Sequence, residues 1–174
     1  MNNPANRIQL SVGPNDGEFK FSLENASGRL GAGGSDVSPE LRWTPSDDLD
    51  VKSYALTVYD PDAPLEGGYW HWAVYDIPAT CTSLAVNAGA EASTIDVAGS
   101  RSPQAVNSAG FPGYVGVAPP VGHGPHRYFF QIHARDVPKL DVPDHGDITM
   151  LAFFISAHEI AKGQLVATYE RTEE

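Results

Sequence analysis

The sequence predicts a mainly β protein: an antiparallel two-sheet β sandwich with one or two accessory helices near the C-terminus. Three observations predict it. Apolar residues recur with a period of two in six short runs. Gly and Pro together make up 31 of the 174 residues, heavy for a helical bundle and ordinary for strands joined by turns. Helical spacing is convincing in one late segment only.

The elements follow in order. From Arg7 to Val12, the apolar positions Ile8, Leu10 and Val12 alternate with polar ones, as on a strand with one buried face. Phe19, Phe21 and Leu23 alternate with Lys20 and Ser22 and read as a second strand. Tyr54–Tyr59, His71–Ile77 and Arg127–Ala134 are runs rich in β-branched and aromatic residues, the composition that fits a pleated surface. Leu165, Ala167 and Tyr169 alternate and form the last strand. Gly-rich connections separate these runs at Gly28–Ser35, Leu65–Gly68, Asn87–Gly89 and Gly110–Gly124. Ile148, Leu151, Ala152 and Ile155, with Glu159 or Ile160, keep the three-to-four spacing of a helix. Asp147 is placed to cap its start and Gly163 to stop it. With no repeat, linker or change of composition, residues 1–174 read as a single domain.

Charge removes several function classes. Eleven basic against 22 acidic residues give a net charge of −11. A nucleic-acid backbone and an anionic membrane surface both repel such a chain. An anion can be held only by a local site working against that field. Cys81 stands alone, so it offers neither an intrachain disulfide nor a cysteine zinc site. Met1–Arg7 lacks the apolar core of a signal peptide, and the run Met150–Ile155 is too short to span a bilayer. The expectation is a soluble cytoplasmic protein without a nucleic-acid partner or stable membrane insertion.

Three constellations carry chemistry. Asp60-Pro61-Asp62-Ala63-Pro64 follows a strand. Turn chemistry alone accounts for it, since Asp bonds its own backbone and Pro fixes φ. The same spacing in extended chain puts both carboxylates on one side, where each raises the pKa of the other and one is held protonated near neutrality. His71 lies between Trp70 and Trp72; alternation places it with Ala73 and Tyr75 and turns both tryptophans the other way. Such a histidine is ordinarily a packed, hydrogen-bonded core residue. His126 and Tyr128 share a face after the long loop Gly110–Gly124, while Arg127 faces away and suits a pair with a buried carboxylate. Two imidazoles, two carboxylates and a phenol suit an anion pocket or a metal site. There is no G-x-S-x-G elbow, and His158-Glu159-Ile160-Ala161-Lys162 puts Lys where a zincin needs its second His. Gly31–Ser35 is followed by no helical pattern, so it is not a phosphate-binding loop.

In this order the motifs resemble the phosphatidylethanolamine-binding protein family, most closely its bacterial Raf-kinase-inhibitor-like branch. They are Ser38-Pro39-Glu40-Leu41-Arg42-Trp43, Asp60-Pro61-Asp62-Ala63-Pro64, His71, Pro119-Pro120 and Gly124-Pro125-His126-Arg127-Tyr128, and the resemblance runs from about Gly31 to Tyr169. It implies two antiparallel sheets with helices near the C-terminus and a small pocket at one end of the larger sheet. It implies an acidic side from Asp60 and Asp62, imidazoles from His71 and His126, Tyr128 on the same strand, and a wall from Ala118-Pro119-Pro120. It also implies a cis peptide before Pro64 and, as is common among bacterial relatives, a homodimer. The sequence departs from the family pattern at Ala118, where Gly is usual, and in lacking the long extra C-terminal helix of mammalian relatives.

The expected function is that of a non-catalytic binding protein for phosphate or a phosphorylated headgroup such as phosphoethanolamine. Its ligand-binding residues are Asp60, Asp62, Pro64, His71, Ala118, Pro120, His126 and Tyr128. Imidazolium and phenol donate to the anion, so affinity is expected to rise as pH falls through about 6.5. One alternative is an inhibitor that engages a kinase or protease through the same pocket. A second is a hydrolase using the Asp/His cluster. No cofactor, metal or catalytic residue is assigned.

Overall fold

The computed structural model describes residues 8–14, 17–45, 47–143 and 147–173. Arg7, and the N-terminal residues read above for a signal peptide, lie outside the described residues.

Nine strands and one helix are described: β1 (Gln9–Val12), β2 (Leu41–Thr44), β3 (Ser53–Asp60), β4 (Tyr69–Pro78), β5 (Ser83–Leu84), β6 (Thr94–Val97), β7 (Ser100–Pro103), β8 (His126–Arg135), α1 (Ile148–Ala157) and β9 (Glu159–Tyr169). The larger sheet runs β4-β3-β8-β9, a second runs β1-β2-β5, and β6-β7 form a hairpin, all with antiparallel neighbours. The main core lies between the first two sheets. Leu10, Leu41, Trp43 and Leu84 from one meet Leu56, Val58, Trp72, Phe130 and Ile132 from the other. A smaller cluster on the opposite face packs Ala55 and Ala73 against Leu151 and Ile155 of α1. The mainly β fold with one helix near the C-terminus is thus the architecture observed.

Asp147 caps α1 as expected: its carboxylate accepts from the Met150 amide at 2.8 Å. The far end differs. The helix stops at Ala157, and Glu159, Ile160 and Gly163 all belong to β9. Gly163 is required there by space rather than by a helix stop, because a Cβ would meet the Ile8 carbonyl oxygen at 2.4 Å.

Phe19–Leu23 is not a strand. The chain is extended without a ladder partner and then forms a 3-10 turn, Leu23–Asn25. Asn25 satisfies the local backbone instead: its Oδ1 accepts from the Ser22 amide and its amide donates to the Val37 carbonyl. The alternation still has a purpose, because the Phe19 and Phe21 rings pack edge-on against Phe130 and Tyr128.

Alternation also fails in β4, for a definable reason. Val58 pairs with Trp72 and Tyr59 with Trp70, so His71 is the extra residue of a β-bulge. The bulge separates the tryptophans: Trp72 joins the main core and Trp70 packs against the smaller cluster. His71 therefore parts from Ala73 and Tyr75, which lie with the smaller cluster, and packs against Tyr69 and Tyr128.

Candidate functional site

Antiparallel pairing of β3 with β8 brings the end of one beside the start of the other, so Asp60 and His126 meet. His126 Nδ1 donates to Asp60 Oδ2 at 2.8 Å, with both side chains buried. The other oxygen of Asp60 accepts from the backbone amides of Asp62 and Ala63 at 2.8 and 3.1 Å. This is the turn chemistry weighed from sequence, and it serves the site as well. A carboxylate fixed by two amides fixes the imidazole ring in turn, as second-shell acids do for functional histidines. With Nδ1 protonated toward Asp60, His126 keeps Nε2 for exchange with another group.

His71 is held from the other side. Its Nδ1 donates to the Val115 carbonyl at 2.7 Å, and the Val115 amide donates to the His71 carbonyl at 2.9 Å. The long loop is therefore pinned to the bulge. Burial pushes the His71 pKa below the ordinary imidazole value, although the Val115 carbonyl and the Asp60 charge oppose it. A neutral His71 with its proton on Nδ1 offers a lone pair at Nε2. Of the two imidazoles expected to donate in protonated form, burial thus disfavours His71.

Tyr128 completes the cluster. Its ring lies 5.2 Å from His71 and 5.2 Å from Phe21. Its hydroxyl is buried and has no hydrogen-bond partner among the described residues. Burial and then the Asp60 charge push its pKa up, so it remains a donor.

Asp62 does not join this group as expected. Its carboxylate is clamped by Arg127: Oδ2 accepts from Arg127 N and Nε at 2.8 and 2.9 Å, and Oδ1 from Nη2 at 2.8 Å. Those bonds hold the Asp62 carboxyl at about 2, well below the carboxylate range, where a raised value was expected of one acid in the pair. Arg127 has the carboxylate partner foreseen for it, but the pair is half-exposed rather than buried.

Pro64 and Pro120 are exposed, and Ala118 is partly buried. No described peptide bond is cis, so the expected cis bond before Pro64 is absent. Ala118 is not among the non-glycine residues with positive φ, so Ala fits this position without strain.

One residue was given no role of its own in the sequence. His123 Nδ1 lies 2.7 Å from His126 Nε2, which extends the chain to Asp60–His126–His123. The signal was the pair of imidazoles three residues apart in His123-Gly124-Pro125-His126. Gly122 and Gly124 flank His123 with φ of 76° and 86°, the left-handed region that favours glycine. These glycines turn the backbone so that His123 folds back over His126.

The described residues contain no group of three or more His, Cys, Asp or Glu side chains arranged to hold a metal ion. No helix among them is long and apolar enough to cross a membrane.

Comparison with known proteins identifies relatives of this chain. A model of the phosphatidylethanolamine-binding protein family matches residues 12–170. The UPF0098 protein YbcL of Escherichia coli (strain K12) is 38 % identical over 141 residues, covering 81 % of this chain and 75 % of that protein. The UPF0098 protein YbhB of the same organism is 35 % identical over 144 residues, covering 80 % and 85 %. The crystal structure of E. coli YbcL, described as a new member of the mammalian PEBP family, superposes with a TM-score of 0.83 at 34 % identity. It covers 94 % of this chain and 98 % of that one.

Proposed function

The chain belongs to the phosphatidylethanolamine-binding protein family, and we propose that it is a non-catalytic binding protein for a small phosphate-bearing group. The observation that carries this reading is the buried Tyr128 hydroxyl, which lacks a partner beside the Asp60–His126 pair. A buried donor without an acceptor costs about 1–3 kcal/mol. A phosphate oxygen is an acceptor of the right kind.

The remaining groups set the protonation of the ligand. Tyr128 and a protonated His126 donate, and a neutral His71 accepts. A monoprotonated phosphate, or a phosphoethanolamine with its ammonium, presents both acceptor oxygens and an acidic hydrogen. Inorganic phosphate keeps an acidic hydrogen even as its dianion, whereas the dianion of a monoester such as phosphoethanolamine lacks one; in either case the second negative charge meets the Asp60 carboxylate. Binding is therefore expected to be tighter at pH 6 than at pH 8, where imidazoles are neutral and the phosphate group carries two negative charges. Asp62 acts from outside the cluster by holding Arg127 and the strand end in place.

The test is calorimetric titration of inorganic phosphate and phosphoethanolamine at both pH values. Tyr128→Phe is expected to weaken binding about tenfold, the worth of one hydrogen bond to a charged group. His126→Ala is expected to abolish it. Equal affinity in all three proteins, or tighter binding at pH 8, would sink the reading.

A further inference from the structure

The cluster just described is closed. Asp60, His71, His126 and Tyr128 expose 3, 3, 2 and 0 % of their surfaces. A ligand cannot reach Tyr128 or His126 unless something moves. One nitrogen of His126 is held by Asp60, and the other is covered by His123 at 2.7 Å. His123 itself is exposed, with no other side-chain hydrogen bond described.

We propose that His123 is the gate of this site, competing with the anionic ligand for Nε2 of His126. The inference rests on the anion-site reading and says how that site opens. The backbone of the turn is tied down: the Gly122 amide donates to the Arg171 carbonyl at 3.0 Å, and the His123 amide donates to the Pro120 carbonyl at 3.1 Å. The side chain can therefore swing while the turn stays in place. The two imidazoles share one hydrogen, on either His123 Nδ1 or His126 Nε2. A second proton between them puts two N–H groups face to face and breaks the link. One added proton leaves the link in place, because the charged ring donates to its neutral neighbour; only when both rings are charged is His126 Nε2–H left to donate outward.

The charges around the pair leave this logic in place. Asp60 faces His126 from the end of β3, with the Asp62–Arg127 pair outside it. His71 and Tyr128 lie beyond it in the core, and Tyr169 is its ladder partner on β9. Burial favours the neutral form of His71. The shared hydrogen therefore lies between buried His126 and exposed His123.

His123→Ala is the test, since an exposed turn residue can be truncated without loss of fold. The first readout needs no ligand: the initial rate at which diethyl pyrocarbonate acylates His126, followed by mass spectrometry of its peptide. The variant is expected to react several-fold faster than the wild type, and equal rates would overturn the gate. The second readout is titration with inorganic phosphate. At pH 8 the variant is expected to bind roughly two- to tenfold more tightly, the worth of one competing hydrogen bond. Its affinity is also expected to differ less between pH 6 and pH 8. Unchanged or weaker binding by a variant that does bind phosphate would overturn the gate and make His123 a bystander or a ligand contact. Faster acylation with no phosphate binding by either protein would support the gate and defeat the anion reading instead.

Discussion

At Tyr128, folding and binding ask for different side chains. A buried hydroxyl without a partner lowers stability, and a phenyl ring of the same shape removes that cost. Tyr128→Phe is therefore expected to leave the urea midpoint unchanged or raise stability by about 1 kcal/mol, while phosphate binding weakens. A variant that lost both stability and binding would mean the hydroxyl is structural. Asp62 makes the opposite case, a polar group whose bonds favour folding. Its carboxyl is held at about 2 in the folded chain against an ordinary value of 3.8. Between those values the unfolded chain binds more protons, so the contribution is complete above 3.8 and is lost as pH falls toward about 2. In urea titrations from pH 5 down to pH 2, Asp62→Asn is expected to lose less stability than the wild type. Parallel curves would show that the Arg127 clamp contributes nothing. The residue types of the site were legible in the sequence because they cluster in short motifs. What each atom does was not, because it depends on partners far along the chain. Val115 takes Nδ1 of His71, and Arg127 takes Asp62 out of the cluster.

Among the elements, β3, β4 and β8 were legible, as was short β1 through the run Arg7–Val12, while the other short strands were not. β3, β4 and β8 carry enough β-branched and aromatic residues to show a period of two. β5 has two residues, and β2, β6 and β7 have four each, too few to show any period. Phe19–Leu23 has the period without the ladder, because alternation reports burial of one face and not pairing of the backbone. The bulge at His71 was invisible for a related reason: a one-residue slip is set by the register against Val58 and Tyr59 on another strand. β9 was foreseen only from Leu165 onward, because Gly163 was taken to stop the helix. Its actual role gives a direct check. In Gly163→Ala the new methyl would lie 2.4 Å from the Ile8 carbonyl oxygen and 3.0 Å from Ile132 Cγ2, so β1 must shift or β9 must bend. The expected loss is roughly 1–3 kcal/mol, read from the urea midpoint. Phosphate binding by the folded variant is expected to survive, because Gly163 pairs with Ile132 while the site lies at the His126–Tyr169 end of the same ladder. Loss of binding without loss of stability would mean that β9 transmits strain along its length.

The whole molecule opposes the ligand it is proposed to take. With a net charge of −11, its field repels phosphate at long range, and binding must come from short-range donors. Arg127, the exposed cation next to His126 in the chain, is already matched by Asp62, so it adds little positive field at the entrance. This combination predicts an inverted salt effect. Raising sodium chloride from 10 to 150 mM shortens the Debye length from about 30 Å to about 8 Å, which screens distant repulsion and spares contacts inside the site. The association rate of inorganic phosphate is therefore expected to rise with salt, whereas salt slows association with a cationic funnel. Phosphoethanolamine carries an ammonium that offsets part of its charge, so its rate is expected to rise less. Stopped-flow measurement of both ligands at the two salt concentrations separates the cases. A phosphate rate that falls with salt would show that local positive charge at the entrance outweighs the field of the whole chain, and the search for cations would return to the turn that carries His123.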